Sequence, residues 1–133
     1  MILLDTHAAI WLANKNPALG NQSRSMALAA RDENRLAISA ISFWEIAILV
    51  SKDRLELREA PAALRESLLN AGVAELPLTG DVALAAVELQ KLHGDPADRF
   101  IVATAIAHNA TLMTADATLL RWRHRLRRQN AAK

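Results

Sequence analysis

Short apolar runs alternate along the chain with longer stretches of helical character. The apolar runs predict strands at residues 2–4, 36–39, 73–76 and 111–114. Helices are predicted at residues 8–13, 23–32, 42–51, 61–70, 79–92, 95–109 and 116–121. Residues 124–130 are polar, and we favour an edge strand there over a frayed basic helix. Strands that alternate with helices predict a parallel sheet with helices on both faces.

The predicted elements fit one domain. A chain of 133 residues buries roughly two-thirds of its unfolded surface in a single core. We therefore expect an α/β fold, a single-domain α/β/α sandwich with a central parallel sheet, over residues 1–133. The apolar runs are far shorter than the ~18 residues of a membrane span, and no signal peptide is expected at the start. The absence of cysteine excludes disulfides and thiolate metal sites and fits a cytoplasmic location.

Acidic residues stand at several predicted helix starts, where a carboxylate can cap exposed backbone amides. Asp95 before Pro96 is typical of a helix start. Ser42 and Glu45 have the spacing of a capping box, which would place Glu45 in the first helical turn. Each acid therefore has a purely structural interpretation: Asp5, Asp95 and Asp116 as N-caps, Glu45 and Asp98 as the third residues of capping boxes.

The same acids also follow the predicted strands. Asp5 comes after the first strand, Glu45 after the second and Asp116 after the fourth. In a parallel sheet these junctions share the carboxyl edge, where open α/β sheets bind their ligands. Asp98 joins them if the apolar helix that it opens begins toward that edge. Several carboxylates in one crevice repel one another, so this interpretation requires a cation.

The expected cation is a hard divalent ion. Mg2+ and Mn2+ bind carboxylate oxygens together with substrate phosphates, and a site of acids alone suits them better than zinc. The corresponding reaction class is phosphodiester hydrolysis. No glycine-rich phosphate loop and no G-x-S-x-G serine motif competes with it.

The net charge of +2 conceals an uneven distribution. The C-terminal segment 121–133 carries six Lys or Arg residues and no acid, which leaves 10 basic and 14 acidic residues in the preceding part. This basic segment suggests a polyanionic partner, and a merely solvated surface is the alternative. The candidate phosphate contacts are Arg121, Arg123, Arg125, Arg127 and Arg128.

Four motifs in order and spacing resemble those of PIN-domain ribonucleases, most closely the VapC-type toxins of bacterial toxin–antitoxin pairs. The motifs are residues 3–7 (LLDTH), 39–47 (SAISFWEIA), 93–99 (HGDPADR) and 111–116 (TLMTAD). The resemblance covers essentially the whole chain. It implies a PIN-like fold, a Mg2+ or Mn2+ site, endoribonuclease activity on RNA, a VapB-type antitoxin that blocks the site, and a homodimer.

The resemblance also implies roles for individual residues. Asp5, Glu45, Asp98 and Asp116 match the catalytic acidic quartet of the family. Asp5 and Asp98 would be direct metal ligands, with Glu45 and Asp116 bound directly or through water. The matched supporting positions are Thr6, Asp95 and Thr114, where Asp95 is a helix cap first and an outer group second.

Two other functions compete with this interpretation. A receiver-like phosphoacceptor domain also gathers acids around Mg2+, but it needs a lysine after its last strand, and no lysine lies near Asp116. A catalytically silent PIN-like domain that only binds protein would not need acids at all four positions.

Overall fold

Five parallel strands form the centre of the structure, a computed structural model that describes all of residues 1–133. In chain order they are β1 (Ile2–Leu4), β2 (Leu36–Ser39), β3 (Ala74–Leu76), β4 (Thr111–Thr114) and β5 (Arg127–Asn130). Their spatial order is β3-β2-β1-β4-β5. The predicted parallel sheet is confirmed, and so is the edge strand near the C-terminus, although β5 begins three residues later than expected.

Seven helices connect and cover the strands: α1 (Thr6–Ala13), α2 (Asn21–Asp32), α3 (Ala40–Ser51), α4 (Pro61–Asn70), α5 (Gly80–Val87), α6 (Pro96–Ala107) and α7 (Ala117–Arg121). The predicted start of α3 at Ser42 is wrong. Ser39 is the N-cap, because its hydroxyl accepts the Ile41 N–H. Glu45 is therefore the sixth residue of α3, in its second turn, and belongs to no capping box.

The predicted end of α5 at Leu92 is also wrong, since the helix stops at Val87. The guanidinium of Arg99 accounts for the early end. It donates to the carbonyl oxygens of Ala86 and Val87 at 3.0 and 3.2 Å, so these acceptors are satisfied without further helical amides. Other helix boundaries agree with the predictions within two residues.

The core lies on both faces of the sheet, as strand alternation requires. On one face Leu4, Ile38 and Met113 pack with buried residues of α1 to α4. On the other face Leu3, Ala37 and Leu112 pack with α6 and α7, and α5 covers the outer side of α6. Residues 101–105 in α6 are buried, as the apolar pattern predicted.

The end of the chain is part of the fold. β5 pairs with β4 along its whole length. Beyond β5, the carbonyls of Ala131 and Lys133 accept the N–H groups of Gly20 and Ser23 at the start of α2. A side chain at Gly20 would overlap the Lys133 backbone, so this close approach requires glycine. No helix in the structure combines the length and the apolar character needed to cross a membrane.

Candidate active site

An acidic cavity of about 330 Å³ opens beyond the carboxyl ends of β1, β2 and β4. Its lining residues are Asp5, Thr6, His7, Trp11, Glu45, Asp95, Asp98, Ala115 and Asp116. All four acids of the predicted quartet therefore meet in one place, and Asp95 lies beside them. Asp98 reaches the cavity because α6 begins at the same edge of the sheet.

Three of the five acids are N-caps, as predicted. The bonds run from the Ala8 N–H to Asp5 (2.8 Å), from the Asp98 N–H to Asp95 (3.1 Å), and from the Thr118 and Leu119 N–H groups to Asp116 (2.8 and 3.2 Å). Every one of these bonds ends on the Oδ1 atom. Capping therefore does not use Oδ2, and a helix cap and a metal ligand are compatible roles for one carboxylate.

Glu45 and Asp98 are not caps. Glu45 lies too far into α3 to reach its first amides. The capping box predicted for Asp98 forms only in part, because the Asp95 N–H donates to Nδ1 of His93 at 3.2 Å and not to the Asp98 carboxylate. Both carboxylates line the cavity with no amide to satisfy, so helix capping does not explain their position.

Two hydroxyl groups hold the acidic elements together. The buried Thr6 at the start of α1 donates to the Ser42 hydroxyl at 3.0 Å. Since Ser42 lies one turn before Glu45, this bond fixes α3 and its carboxylate relative to β1. Thr114 accepts the Asp116 N–H at 3.0 Å, and its hydroxyl also lowers the pKa of Asp5 by hydrogen bonding.

Burial and mutual repulsion disfavour the ionised acids. Burial raises the pKa of Asp5, and the Glu45 charge adds to this, while hydrogen bonds from Thr114 and the Ala8 amide oppose it. Burial also raises the pKa of Asp98 to about 7, with further contributions from the charges of the other four acids. A bound cation would relieve both effects.

The donor atoms suit a hard divalent ion. Two groups have ligand atoms within 4.8 Å of one another: Glu45 with Asp95 and Asp98, and His93 with Asp98 and Asp116. Asp98 belongs to both groups, whereas Asp5 lines the same cavity outside them. Carboxylate oxygens dominate the set, as Mg2+ and Mn2+ require. His93 has no role that the sequence pattern predicts, because its contacts depend on the turn before α6.

The five arginines proposed to bind phosphate do not line the cavity. Arg127 pairs in register with Thr111, the first residue of β4, and so lies at the opposite edge of the sheet. Arg128 donates to the carbonyls of Leu120 and His124 at 3.2 and 3.3 Å. Arg121 at the end of α7 is exposed, and so are Arg123 and Arg125 between α7 and β5.

Comparison with known proteins gives a consistent result. Residues 2–124 match the family described as PIN domain. Ribonuclease VapC22 of Mycobacterium tuberculosis is 39% identical over 124 residues, which cover 92% of both chains. VapBC2 from Rickettsia felis, solved with a promoter DNA fragment, is 24% identical with a TM-score of 0.73 over 98% of both chains. DNA-bound VapBC from Salmonella typhimurium is 16% identical with a TM-score of 0.71 over 96% of both chains. At such identities the solved structures show a common fold.

Proposed function

The chain belongs to the PIN domain family, and from that premise we propose that it is an endoribonuclease toxin of the VapC type. In this proposal it hydrolyses RNA phosphodiester bonds with Mg2+ or Mn2+ and is one member of a toxin–antitoxin pair. The observation that carries the proposal is the convergence of Asp5, Glu45, Asp98 and Asp116 in one cavity. The relative named Ribonuclease VapC22 supports the choice of RNA as substrate.

In this site Asp5 and Asp98 would hold the metal ion directly, and Glu45 and Asp116 would bind it directly or through water. When bound, such an ion activates a water molecule and stabilises the charge that develops on the scissile phosphate. The acids themselves supply the negative field that concentrates the cation. Without a cation the same field would repel the phosphates of RNA.

Thr6, Asp95 and Thr114 have supporting roles in this mechanism. Thr6 fixes α3 through Ser42, Asp95 caps the helix that presents Asp98, and Thr114 links Asp116 to Asp5. These contacts hold the carboxylates in position before substrate arrives. Such preorganisation lowers the cost of ordering the site during the reaction.

Two protein partners are part of the proposal. We propose that a VapB-type antitoxin blocks the acidic cavity, and the similarity of the fold to VapBC toxin–antitoxin structures supports a partner of this kind. A second copy of the chain would cover exposed apolar side chains, namely Trp44 of α3 and Leu84 and Val87 of α5. These side chains are 53%, 71% and 77% exposed, respectively. Both helices contact α6, and exposed apolar side chains of this kind support a homodimer, which we place in the cytoplasm.

A receiver-like function has less support. No lysine lines the cavity, although a phosphoacceptor site would need one beside its acids. A silent binding module would gain nothing from the raised pKa of Asp98, which reflects first its burial and then repulsion from the neighbouring acids.

The direct test is cleavage of RNA by the purified chain. We expect cleavage in Mg2+ or Mn2+, loss in excess EDTA, and recovery when either ion is restored. The Arg127→Ala variant is a matched control, because Arg127 lies at the opposite edge of the sheet. Undiminished cleavage in EDTA would exclude the proposed chemistry. Sequencing of RNA ends after expression, with Asp98→Asn as control, would identify the substrate.

A further inference from the structure

His93 contacts the acids through both nitrogens of its ring, and the proposed mechanism does not use it. It lies in the turn before α6, and its Nε2 atom is 3.3 Å from Oδ2 of Asp98. The other ring nitrogen, Nδ1, accepts the backbone N–H of Asp95 at 3.2 Å. The imidazole therefore stands between the N-cap of α6 and the carboxylate that belongs to both candidate ligand groups.

The contact with Asp95 determines where the imidazole carries its proton. A nitrogen that accepts an N–H bond has no hydrogen of its own, so Nδ1 is unprotonated. A neutral imidazole then carries its hydrogen on Nε2. Since Nε2 faces Oδ2 of Asp98, it is oriented to donate to that oxygen. A protonated Nε2 has no lone pair for a metal ion, which argues against His93 as a ligand.

The backbone around His93 is held by a single side chain. The Arg99 guanidinium donates to the carbonyls of Leu92 and His93 at 2.9 and 3.1 Å, in addition to its bonds at the end of α5. It also reaches the Leu89 carbonyl at 3.0 Å. Arg99 directly follows Asp98, so the turn that carries His93 and the first turn of α6 are fastened together.

We propose that His93 is a positioning residue, which donates from Nε2 to Oδ2 of Asp98 and so orients this carboxylate for the metal ion. The inference rests on the proposed function in that Asp98 is taken as a ligand. A carboxylate surrounded by four others experiences repulsion from several directions. One fixed donor holds one of its oxygens and leaves the other for the ion. Outer donors of this kind typically contribute about 10–100-fold to metal affinity.

The first experiment reads the tautomer in metal-free protein. Long-range 1H–15N spectra near pH 8.5, where an unperturbed imidazole is neutral, should show Nδ1 unprotonated and Nε2 protonated for His93. A His93→Ala spectrum assigns the signals. The opposite tautomer would overturn the proposal and indicate that His93 offers its Nε2 lone pair as a ligand.

The second experiment compares His93→Gln with His93→Ala. The Gln amide nitrogen can replace Nε2 as donor, whereas Ala cannot. By calorimetry, Ala should weaken Mn2+ binding at least tenfold and Gln should restore most of it. In RNA cleavage, kcat should follow the same order with KM unchanged. Equal Mn2+ affinity in wild type and the Ala variant would refute the inference.

These readouts separate the inference from the proposed function. The tautomer and the Mn2+ affinity are measured without RNA. A chain whose Mn2+ affinity depends on the His93 donor but which cleaves no RNA would therefore support the inference and refute the proposed function. If His93→Ala unfolds the chain, the Mn2+ affinity of His93→Gln and the tautomer of the wild type still test whether His93 donates to Asp98. A Gln variant that is folded and binds Mn2+ more than tenfold more weakly than wild type counts against a donor role.

Discussion

The acidic cavity and the basic segment 121–133 are organised in opposite ways. The acids are scattered along the sequence and meet in space, because each lies at the carboxyl edge of one parallel sheet. The arginines are close together in sequence and none of them lines the cavity, since Arg127 lies at the other edge of the sheet and Arg128 donates to backbone carbonyls. In this fold, therefore, strand topology brings distant carboxylates together, whereas the run of arginines supplies no side chain to the cavity.

The largest effect of a substitution in the acidic cavity is expected at Asp98, the acid shared by both ligand groups. Asp98→Asn should reduce cleavage at least ~100-fold, about 2.7 kcal/mol of transition-state stabilisation. The melting temperature in EDTA should hold or rise, because one charge has left a self-repelling cluster. Cleavage rates and melting curves on the same preparation check this.

Glu45→Gln is a companion to that variant and should behave alike, since Glu45 caps no helix either. A lower melting temperature in EDTA, with cleavage per folded molecule intact, would return both acids to a structural role. Added Mg2+ should stabilise both variants less than wild type, because an ion stabilises only the fold that binds it.

The raised pKa of Asp98 should make the stability of the folded chain depend on pH. The pKa of Asp98 is raised to about 7 in the folded chain, whereas an unfolded Asp titrates near ~3.9. Protonated Asp98 therefore contributes to the free energy of unfolding. This contribution is complete below about pH 4 and is lost as the pH rises through about 7. At pH 8 in EDTA, Asp98→Asn should therefore be more stable than wild type by about 1–2 kcal/mol, allowing for partial exposure.

Urea unfolding at pH 5 and pH 8 measures this effect. The pH dependence should be reduced in Asp98→Asn but not abolished, because the raised pKa of Asp5 acts in the same direction. Identical pH dependence in wild type and Asp98→Asn would mean that folding does not raise the pKa of Asp98.

The cap and ligand roles of Asp116 can be separated, because capping uses only Oδ1. Asp116→Asn keeps a capping oxygen and should retain the melting temperature, whereas Asp116→Ala should lose about 1 kcal/mol. Both should impair cleavage if Asp116 contributes to the metal site. Full activity in the stable Asn variant would limit Asp116 to its cap.

The smallest effects are expected in the basic segment. If the exposed Arg123 and Arg125 contact RNA, replacing both by Ala should reduce the salt dependence of binding by about 0.7 in slope per lost contact. Arg127→Ala should leave the slope unchanged. Arg128→Ala should instead lower the melting temperature, because the carbonyls of Leu120 and His124 lose their donor. Equal slopes in all variants would favour a solvated surface or the antitoxin as partner.

Much of the fold was predictable because local signals and tertiary packing agree. β1, β2 and β4 are short apolar runs bounded by polar residues, and their limits match the predictions. Asp5, Asp95 and Asp116 carry cap signals that the structure uses. The convergence of the acids followed from the parallel sheet, although their roles in binding metal stay predictions.

The errors arose where a distant contact decides between two local signals. Ser39 and Ser42 are both competent N-caps, and the bond from Thr6 engages Ser42 elsewhere. The end of α5 depends on Arg99, which lies 12 residues beyond Val87 and carries no helix-stop signal. His93 had no periodic signal at all. The spacing of these residues indicates a contact only in the folded turn, where one ring nitrogen of His93 contacts the Asp95 amide and the other contacts the Asp98 carboxylate.

The central position of β1 has a consequence for protein synthesis. β1 is made first, yet it lies between β2 and β4, and β4 is made more than a hundred residues later. A ribosome adds roughly 5–20 residues per second, so about 6–22 s separate Asp5 from Asp116. During that interval no nascent chain contains all four carboxylates. A translation product abandoned before Asp116 lacks part of the cluster, so only chains that extend past Asp116 can carry all four carboxylates.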